Sequence, residues 1–354
     1  MNTEHRPIVS IVTPVYNGET YLSECIESVL SQTFQNWEYI ILNNNSSDRT
    51  LEIAEQYQRR DSRIRVYSND TLLPIIANHN KAFGLISAES KYCKVVSADD
   101  WLFPECLERM VALAEENPSV GLVGAYQLSG GEGIWYVRNS GLPYSQTVVS
   151  GPEVCRAHML GMLKVLGNPT SVMYRADLVR NTDRFFPNPT AEADTSACLK
   201  QLRFSDFGFV HQVLSHERIH NVRATTTSLE TNAYLSAAIS DCQVYGEWYL
   251  TKQEREARIG ELLNQYYTYL AASAFKFKGK TFWDYHIGRL KELGFQLDKR
   301  KLSASVASKS IDLLLNPKST VQMVSGRMRL NRALKAGGAA EKRRGLKTRE
   351  NFCR

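Results

Sequence analysis

Apolar and polar positions follow two periods through the first half of the chain. Ile8–Thr13 and Glu38–Leu42 are short β-rich runs. Between them, Leu22, Cys25, Ile26, Val29 and Leu30 fall at helical spacing, one apolar stripe for a sheet to cover. A second helix is predicted over Asp48–Tyr57, with Ser46 and Ser47 offering N-cap chemistry. Ile64–Tyr67 reads as a third strand and residues 74–88 as a third helix. The apolar run Tyr92–Val96 follows, then a helix from Pro104, since proline suits a first helical position. Val120–Tyr126 is a further strand. Strands separated by helical patterns predict βαβ units and a largely parallel sheet.

Residues 127–150 are rich in Gly, Ser and Pro with little periodicity, which predicts a long loop or an antiparallel hairpin. Helix is expected over Pro152–Leu166, a short strand over Ser171–Tyr174, a helix after Thr190 and another strand over Phe207–Leu214. Beyond residue 226 helical patterns dominate, at roughly 231–250, 253–275 and 281–294, and β-branched strands vanish. This change of texture marks off residues 1–225 as an α/β catalytic domain and 226–317 as a helical C-terminal region.

Composition changes that picture in one place. The chain of 354 residues is 43% hydrophobic and 23% charged, ordinary for a soluble domain. Its net charge of +6 is a property of the last stretch: residues 318–354 hold eleven Lys/Arg against two Glu. That leaves residues 1–317 slightly acidic, so the positive charge concerns partners and not the catalytic core. Seven scattered cysteines without a Cys-x-x-Cys pair suit reduced thiols better than a disulfide framework or a zinc site. The N-terminus runs into a strand without a signal-peptide pattern, and no stretch approaches the ~20 apolar residues of a spanning helix.

The candidate chemistry sits where strands end. Asp99 and Asp100 directly follow the run Tyr92–Val96, at the carboxyl end of a buried parallel strand, where open α/β sheets bind ligands. Two adjacent carboxylates repel each other unless a cation or a donor-rich ligand offsets their charge. A hard divalent cation holding a phosphorylated substrate meets that need; a solvated loop with Asp99 capping the next helix is the plainer alternative. The first strand ends in Pro14-Val15-Tyr16-Asn17-Gly18, which fixes the direction of a ring able to stack on a nucleotide base. Asn43, first off the second strand, can present an amide to a base edge, while Ser46, Ser47 and Asp48 are explained by capping.

Three blocks in order, Ser10-Ile11-Val12-Thr13-Pro14-Val15-Tyr16-Asn17, Ser28-Val29-Leu30-Ser31-Gln32-Thr33-Phe34 and Asn44-Asn45-Ser46-Ser47-Asp48-Arg49-Thr50, precede the Asp-Asp pair. Together they resemble the family 2 glycosyltransferases, inverting nucleotide-sugar enzymes of the GT-A fold, over about residues 8–225. The resemblance implies a GT-A-like, mostly parallel sheet flanked by helices. It implies that Pro14, Val15, Tyr16 and Asn43 line a base pocket, that Asp99 bonds the ribose and that Asp100 binds Mn²⁺ or Mg²⁺ at the diphosphate. Asn43 replaces a common Asp, and Ser97 replaces another, leaving one carboxylate fewer near the metal. His79-Asn80-Lys81 falls where the family often carries a basic residue and an Asn near the diphosphate, and His220 resembles a position that reaches diphosphate or metal.

The same resemblance places the general base in Glu192-Ala193-Asp194, with Asp194 preferred and Glu192 in reserve; both acids also suit a helix N-terminus through the dipole alone. An acid there can take the proton of an acceptor hydroxyl as its oxygen attacks the anomeric carbon. Trp101 is the leading acceptor-pocket aromatic, with Trp135, Tyr136 and the turn Gly167-Asn168-Pro169-Thr170 as others. The expected reaction moves one sugar from a nucleoside-diphosphate donor, UDP-linked by expectation, to a saccharide or lipid-linked acceptor in surface or exopolysaccharide assembly. A catalytically weak nucleotide-sugar binder or scaffold is the alternative, because Asn43 and Ser97 depart from the usual acids.

Other classes fit less well. A nicotinamide dehydrogenase needs Gly-x-Gly-x-x-Gly after its first strand, and this chain has Pro-Val-Tyr-Asn-Gly-Glu. A sugar nucleotidyltransferase should begin with a Gly-rich basic phosphate loop, and a processive membrane synthase needs spanning helices and a Gln-x-x-Arg-Trp block. The basic tail 318–354 is expected to be either disordered or a membrane-associating segment, since basic clusters attract anionic lipid. With few aromatics to interleave with bases, it does not read as a nucleic-acid binder. A cytoplasmic location is expected, peripheral to the inner membrane face if the tail engages lipid.

Overall fold

The computed structural model describes residues 7–131, 134–187, 193–219, 232–276 and 278–316. β1 (Val9–Val15) and β2 (Trp37–Asn43) are buried at every position, which is why their sequences read as unbroken apolar runs. Alternate residues still serve opposite faces. Val12, Ile40 and Leu42 join one core, whereas Ile11, Tyr39 and Ile41 join the other. Burial of each such large side chain contributes about 1.5–3 kcal/mol.

These strands lie in a ten-stranded sheet of order β3-β2-β1-β4-β9-β6-β10-β5, with β7 on β6 and β8 on β10. β3 (Ile64–Ser68), β2, β1 and β4 (Tyr92–Val95) run parallel, as the βαβ reading requires. β9 (Val172–Arg175) is antiparallel to both β4 and β6 (Val120–Gly131), and β6 is parallel to β10 (Asp206–Arg218). Helices α1 (Leu22–Leu30) and α4 (Cys106–Glu116) bury apolar stripes in the Ile11 core. The opposite core takes α3 (Ile75–Phe83), α5 (Gly151–Met159) and α7 (Ala193–Gln201). α2 (Thr50–Gln58) connects β2 to β3, and the short α6 (Ala176–Arg180) follows β9.

The low-periodicity stretch after residue 126 is a hairpin: β6 extends to Gly131 and β7 (Ile134–Arg138) returns along it. β8 (Val148–Val149) then pairs antiparallel with β10. One strand lay outside the sequence reading. β5 (Trp101–Leu102) pairs antiparallel with Ser215 and His216 of β10, a long-range pairing that two residues cannot announce locally. Ser46 and Ser47 do not cap α2: its N-cap is Arg49, without a side-chain cap bond, because the serines are drawn instead to the loop after β1.

The chain divides into two compact units, the first reaching Leu262 and the second beginning at Leu263. The first continues through α8 (Ala233–Val244), α9 (Gly246–Tyr249) and the opening of α10 (Lys252–Ala274). The second holds the rest of α10, α11 (Lys280–Glu292) and α12 (Lys299–Leu315). In it, Tyr266 bonds buried His286 at 2.6 Å. The sequence boundary at residue 225 and the tail 318–354 lie outside the described residues.

Candidate active site

The carboxyl ends of β1, β2 and β4 adjoin, and the loops after β1 and β2 are tied together. Asn17 has a φ of 50°, and Gly18 then turns the chain where a Cβ would come within 2.6 Å of Val15. Asn17 N donates to Ser46 Oγ at 3.0 Å, Ser47 N to Asn17 Oδ1 at 2.9 Å and Gly18 N to Thr50 Oγ1 at 2.8 Å. Tyr16 projects from this rim with half its surface exposed, while Pro14 and Val15 stay buried in the strand.

Asn43 is buried, and its carboxamide donates to Ser68 Oγ at 2.9 Å and accepts from Ser46 N at 3.2 Å. Its neighbour Asn44 receives a bond from Asn69 Nδ2, which also donates to Asn78 Oδ1, both at 2.8 Å. Buried amides linked this way fix β2, β3 and α3 around the candidate base pocket.

Asp99 and Asp100 stand at the end of β4. Asp100 is buried; Oδ2 accepts from Thr170 Oγ1 at 2.7 Å and Oδ1 from Arg218 N at 3.1 Å. Burial pushes its carboxyl well above the usual carboxylate range, the adjacent Asp99 and then Glu217 add to that, and the two hydrogen bonds oppose it. Beneath it, buried Lys94 donates to the carbonyls of Thr170 and of Val172. Burial pulls the Lys94 ammonium down to about 8, although the charges of Cys106 and Asp100 work the other way. Arg218 Nε donates to the Asp99 carbonyl at 3.1 Å and its guanidinium pairs with Glu24.

Among the described residues no group of three or more His, Cys, Asp or Glu side chains forms a metal cage. The acid pair nonetheless fits a cation held by one or two carboxylates and completed by substrate phosphates. Repulsion from Asp99 that raises Asp100 is what such a cation relieves.

Asp194 opens α7, and backbone donors hold both its oxygens: Thr195 N to Oδ1 at 2.8 Å and Asn168 N to Oδ2 at 2.6 Å. Burial raises its carboxyl above the ordinary value, while these bonds and the charge of Arg138 pull against that. Asn168, at a φ of 43°, is the hub of this side. Its Nδ2 donates to Gln127 Oε1 at 2.8 Å, and its Oδ1 accepts from Thr170 N at 3.1 Å. A continuous line of hydrogen bonds therefore runs from Asp100 through Thr170 and Asn168 to Asp194. Arg138 also donates to Glu217, at 2.6 Å, and Glu217 accepts from Ser129 at 2.6 Å.

Trp101 stacks on His216 with centroids 3.5 Å apart, and Trp135 lies 5.1 Å beyond. The Arg218 guanidinium covers the rings of Tyr21 and Trp101. Strand pairing puts Trp101 and His216 in one row, and Arg138, Gln127 and Ser215 in the next. Successive rows face opposite sides of a sheet, so Trp101 and the polar groups near Asp194 flank its two faces.

Asn80 is a clamp: it donates to the Phe186 carbonyl at 3.0 Å and accepts from Phe186 N at 2.9 Å, with the His79 ring edge-on to Phe186. Both side chains brace the segment before α7, and Lys81 is exposed. Glu192 and His220 lie outside the described residues. Thr170, Lys94, Gln127, Arg138, Glu217 and Arg218 were not singled out by the sequence as functional, apart from Thr170 within a turn. A lysine inside an otherwise apolar strand was the one signal for Lys94.

The family described as Glycosyl transferase family 2 matches residues 10–181. An uncharacterized glycosyltransferase of Haemophilus influenzae is 36% identical over 123 residues, 35% of this chain and 38% of that protein. The putative glycosyltransferase EpsE of Bacillus subtilis is 39% identical over 34% of this chain and 44% of its own. The chain thus spans well under half the length of these relatives. An uncharacterized glycosyltransferase of Rickettsia typhi is 27% identical over 64% of this chain and 68% of its own. Among solved structures, S. aureus TarS 1–349 in complex with UDP-GlcNAc matches with a TM-score of 0.60 at 18% identity, covering 88% of this chain and 87% of that one. Mannosyltransferase PcManGT from Pyrobaculum calidifontis, in complex with GDP-Man and Mn²⁺, matches at 0.51 and 12% identity, covering 87% of each chain. These two share the fold.

Proposed function

We propose that this chain, which belongs to glycosyl transferase family 2 through residues 10–181, moves a single sugar from a nucleoside-diphosphate donor to an acceptor hydroxyl with inversion. The observation that carries the reading is the hydrogen-bonded line from Asp100 to Asp194, which sets a donor-side acid and a candidate base in fixed relation. UDP-GlcNAc and GDP-Man in the structural neighbours agree with a nucleotide-sugar donor, and a uridine donor is the expectation here.

In this reading the base stacks on Tyr16 against Pro14 and Val15. Asn43 spends one amide hydrogen on Ser68, leaving the other for a base carbonyl. Asp99 takes the ribose hydroxyls, and Asp100, with Asp99 beside it and His220 as a further candidate, would hold Mn²⁺ or Mg²⁺. Such an ion, when bound, supplies Lewis-acid stabilisation of the departing diphosphate. Asp194 accepts the proton of the acceptor hydroxyl while that oxygen bonds to the anomeric carbon and the carbon–phosphate-oxygen bond breaks on the opposite face. Glu192 is the reserve base. Raised by burial, Asp194 is a stronger proton acceptor than an exposed carboxylate. Trp101, stacked on His216 across the sheet from the groups near Asp194, has no part in receiving the acceptor in this reading.

The acceptor is a saccharide or a lipid-linked saccharide of surface or exopolysaccharide assembly. Among the described residues no helix is long and apolar enough to cross a membrane. The basic segment 318–354 supplies attraction to anionic lipid at the cytoplasmic face.

Thermal-shift titration with UDP, GDP and Mn²⁺ reads the donor class directly, since a ligand of the native state raises its stability. Turnover of the matching sugar nucleotide with acceptor should fall about 10²–10⁴-fold in Asp194→Asn. Equal turnover in the two proteins would remove Asp194 as base, and no stabilisation by any nucleotide would remove the donor assignment.

A further inference from the structure

The mechanism leaves one buried acid beside the candidate base unused. Asp241, on α8, is 5% exposed. Its Oδ1 accepts from Ser196 Oγ at 2.6 Å, and Ser196 lies on the first turn of α7, two residues after Asp194. Its Oδ2 is fully buried with no hydrogen-bond partner among the described residues. An interior carboxylate oxygen without a donor is costly unless the group carries a proton or serves a neighbour.

We propose that Asp241 is a positioning residue for Asp194, fastening the first turn of α7 to α8 through Ser196 and setting the proton affinity of the base by its own charge state. The inference rests on Asp194 being that base.

Burial acts on both acids. Burial raises Asp241 to about 7, the Ser196 bond opposes this, and the charge of Asp194 raises it further. Asp194 is likewise raised by burial, with backbone hydrogen bonds and the charge of Arg138 opposing this. Two buried acids whose charges interact lose their protons in two steps that belong to the pair. The other titratable groups facing the pair are Tyr174 and Cys198 on the Asp194 side and Tyr245 on the Asp241 side, all raised and neutral near pH 7. With Asp241 protonated, the ionised Asp194 meets no second negative charge; with Asp241 ionised, a proton is held more tightly on Asp194.

Asp241→Asn keeps the shape and the oxygen that Ser196 bonds while fixing the group as neutral. The pH profile of kcat/KM should show an inflection near 7 in the wild type that is absent in the variant, with Asp241→Glu restoring a pH-dependent limb. Superimposable profiles of wild type and Asp241→Asn would overturn the proposal. A second readout does not need catalysis. Carbon-13 NMR of the aspartate carboxyls should show Asp241 titrating at lower pH in Asp194→Asn than in the wild type. An unchanged Asp241 titration would overturn the coupling. If Asp194→Asn stays active yet Asp241 shifts, the base assignment fails while the coupling of the two acids stands.

Discussion

Thr170 donates its hydroxyl to Asp100 Oδ2 at 2.7 Å across seventy residues of sequence. Thr170 Oγ1 also lies 3.2 Å from Ser97 Oγ and accepts from Ser97 N at 3.1 Å. One threonine thus orients the buried acid and the strand end that carries it.

Thr170→Val keeps the volume and removes these bonds. Outer-shell partners of metal ligands are worth about 10–100-fold in affinity, so Mn²⁺-dependent nucleotide binding should weaken within that range. Unpaired Ser97 N and Asp100 Oδ2 should cost about 1–3 kcal/mol of stability. Calorimetric titration and urea unfolding measure the two effects.

Lys94 binds its proton less tightly in the folded chain, at about 8 against the ordinary 10.5. Between those values the unfolded chain holds more protons, so this residue makes stability rise with pH across that window. The rise amounts to about 3 kcal/mol at most. Lys94→Met should abolish it, seen as a flatter difference between urea midpoints at roughly pH 8 and 10 than in the wild type. Equal slopes would show that the folded chain binds the Lys94 proton as tightly as the unfolded one.

Gly167 has a φ of +104°, and a Cβ there would sit 2.9 Å from Thr195 Oγ1 and 3.5 Å from Asp194 Oδ2. Gly167→Ala strains the turn by on the order of 1–3 kcal/mol and displaces the candidate base. The expected outcome is a fall in kcat of about tenfold or more, against a small change in nucleotide KM.

Arg218 ties β10 to two other segments: Tyr21 and Glu24 at the start of α1, and Asp99 and Trp101 after β4. A lysine has neither the fork nor the flat face, so Arg218→Lys should behave like Arg218→Ala. Both should lower kcat/KM more than tenfold; recovery in the lysine variant would reduce Arg218 to a simple charge.

Removal of residues 318–354 should abolish flotation with anionic liposomes and leave flotation with neutral ones unchanged, while soluble turnover persists. Each Lys or Arg near an anionic surface is worth about 1 kcal/mol, and this segment holds eleven against two Glu. Equal recovery of full-length and shortened chains would remove the membrane role.

Much of this was readable from the sequence because local rules were enough. β1 and β2 appeared as apolar runs because parallel strands are covered on both faces, and α1 appeared as a stripe because it is covered on one. The acid pair was visible because it interrupts such a run at the end where α/β sheets bind ligands. Asn80 misled for a related reason: an Asn on a helix carries no local sign that its amide will clamp Phe186, more than a hundred residues away. β5 and the cap of α2 were likewise decided by distant partners.

The amino-acid order alone determined the alternating elements and the Asp99–Asp100 pair, since periodicity and residue chemistry are local properties, whereas the candidate base at Asp194 came from the family resemblance. Tertiary structure decided what those groups experience. Burial and the Thr170, Arg218 and Asn168 bonds set the proton affinities of Asp100 and Asp194, and Asp241 reached the vicinity of Asp194 only through the packing of α8 on α7. Solvation and charge interactions depend on distance through space, which sequence separation does not encode.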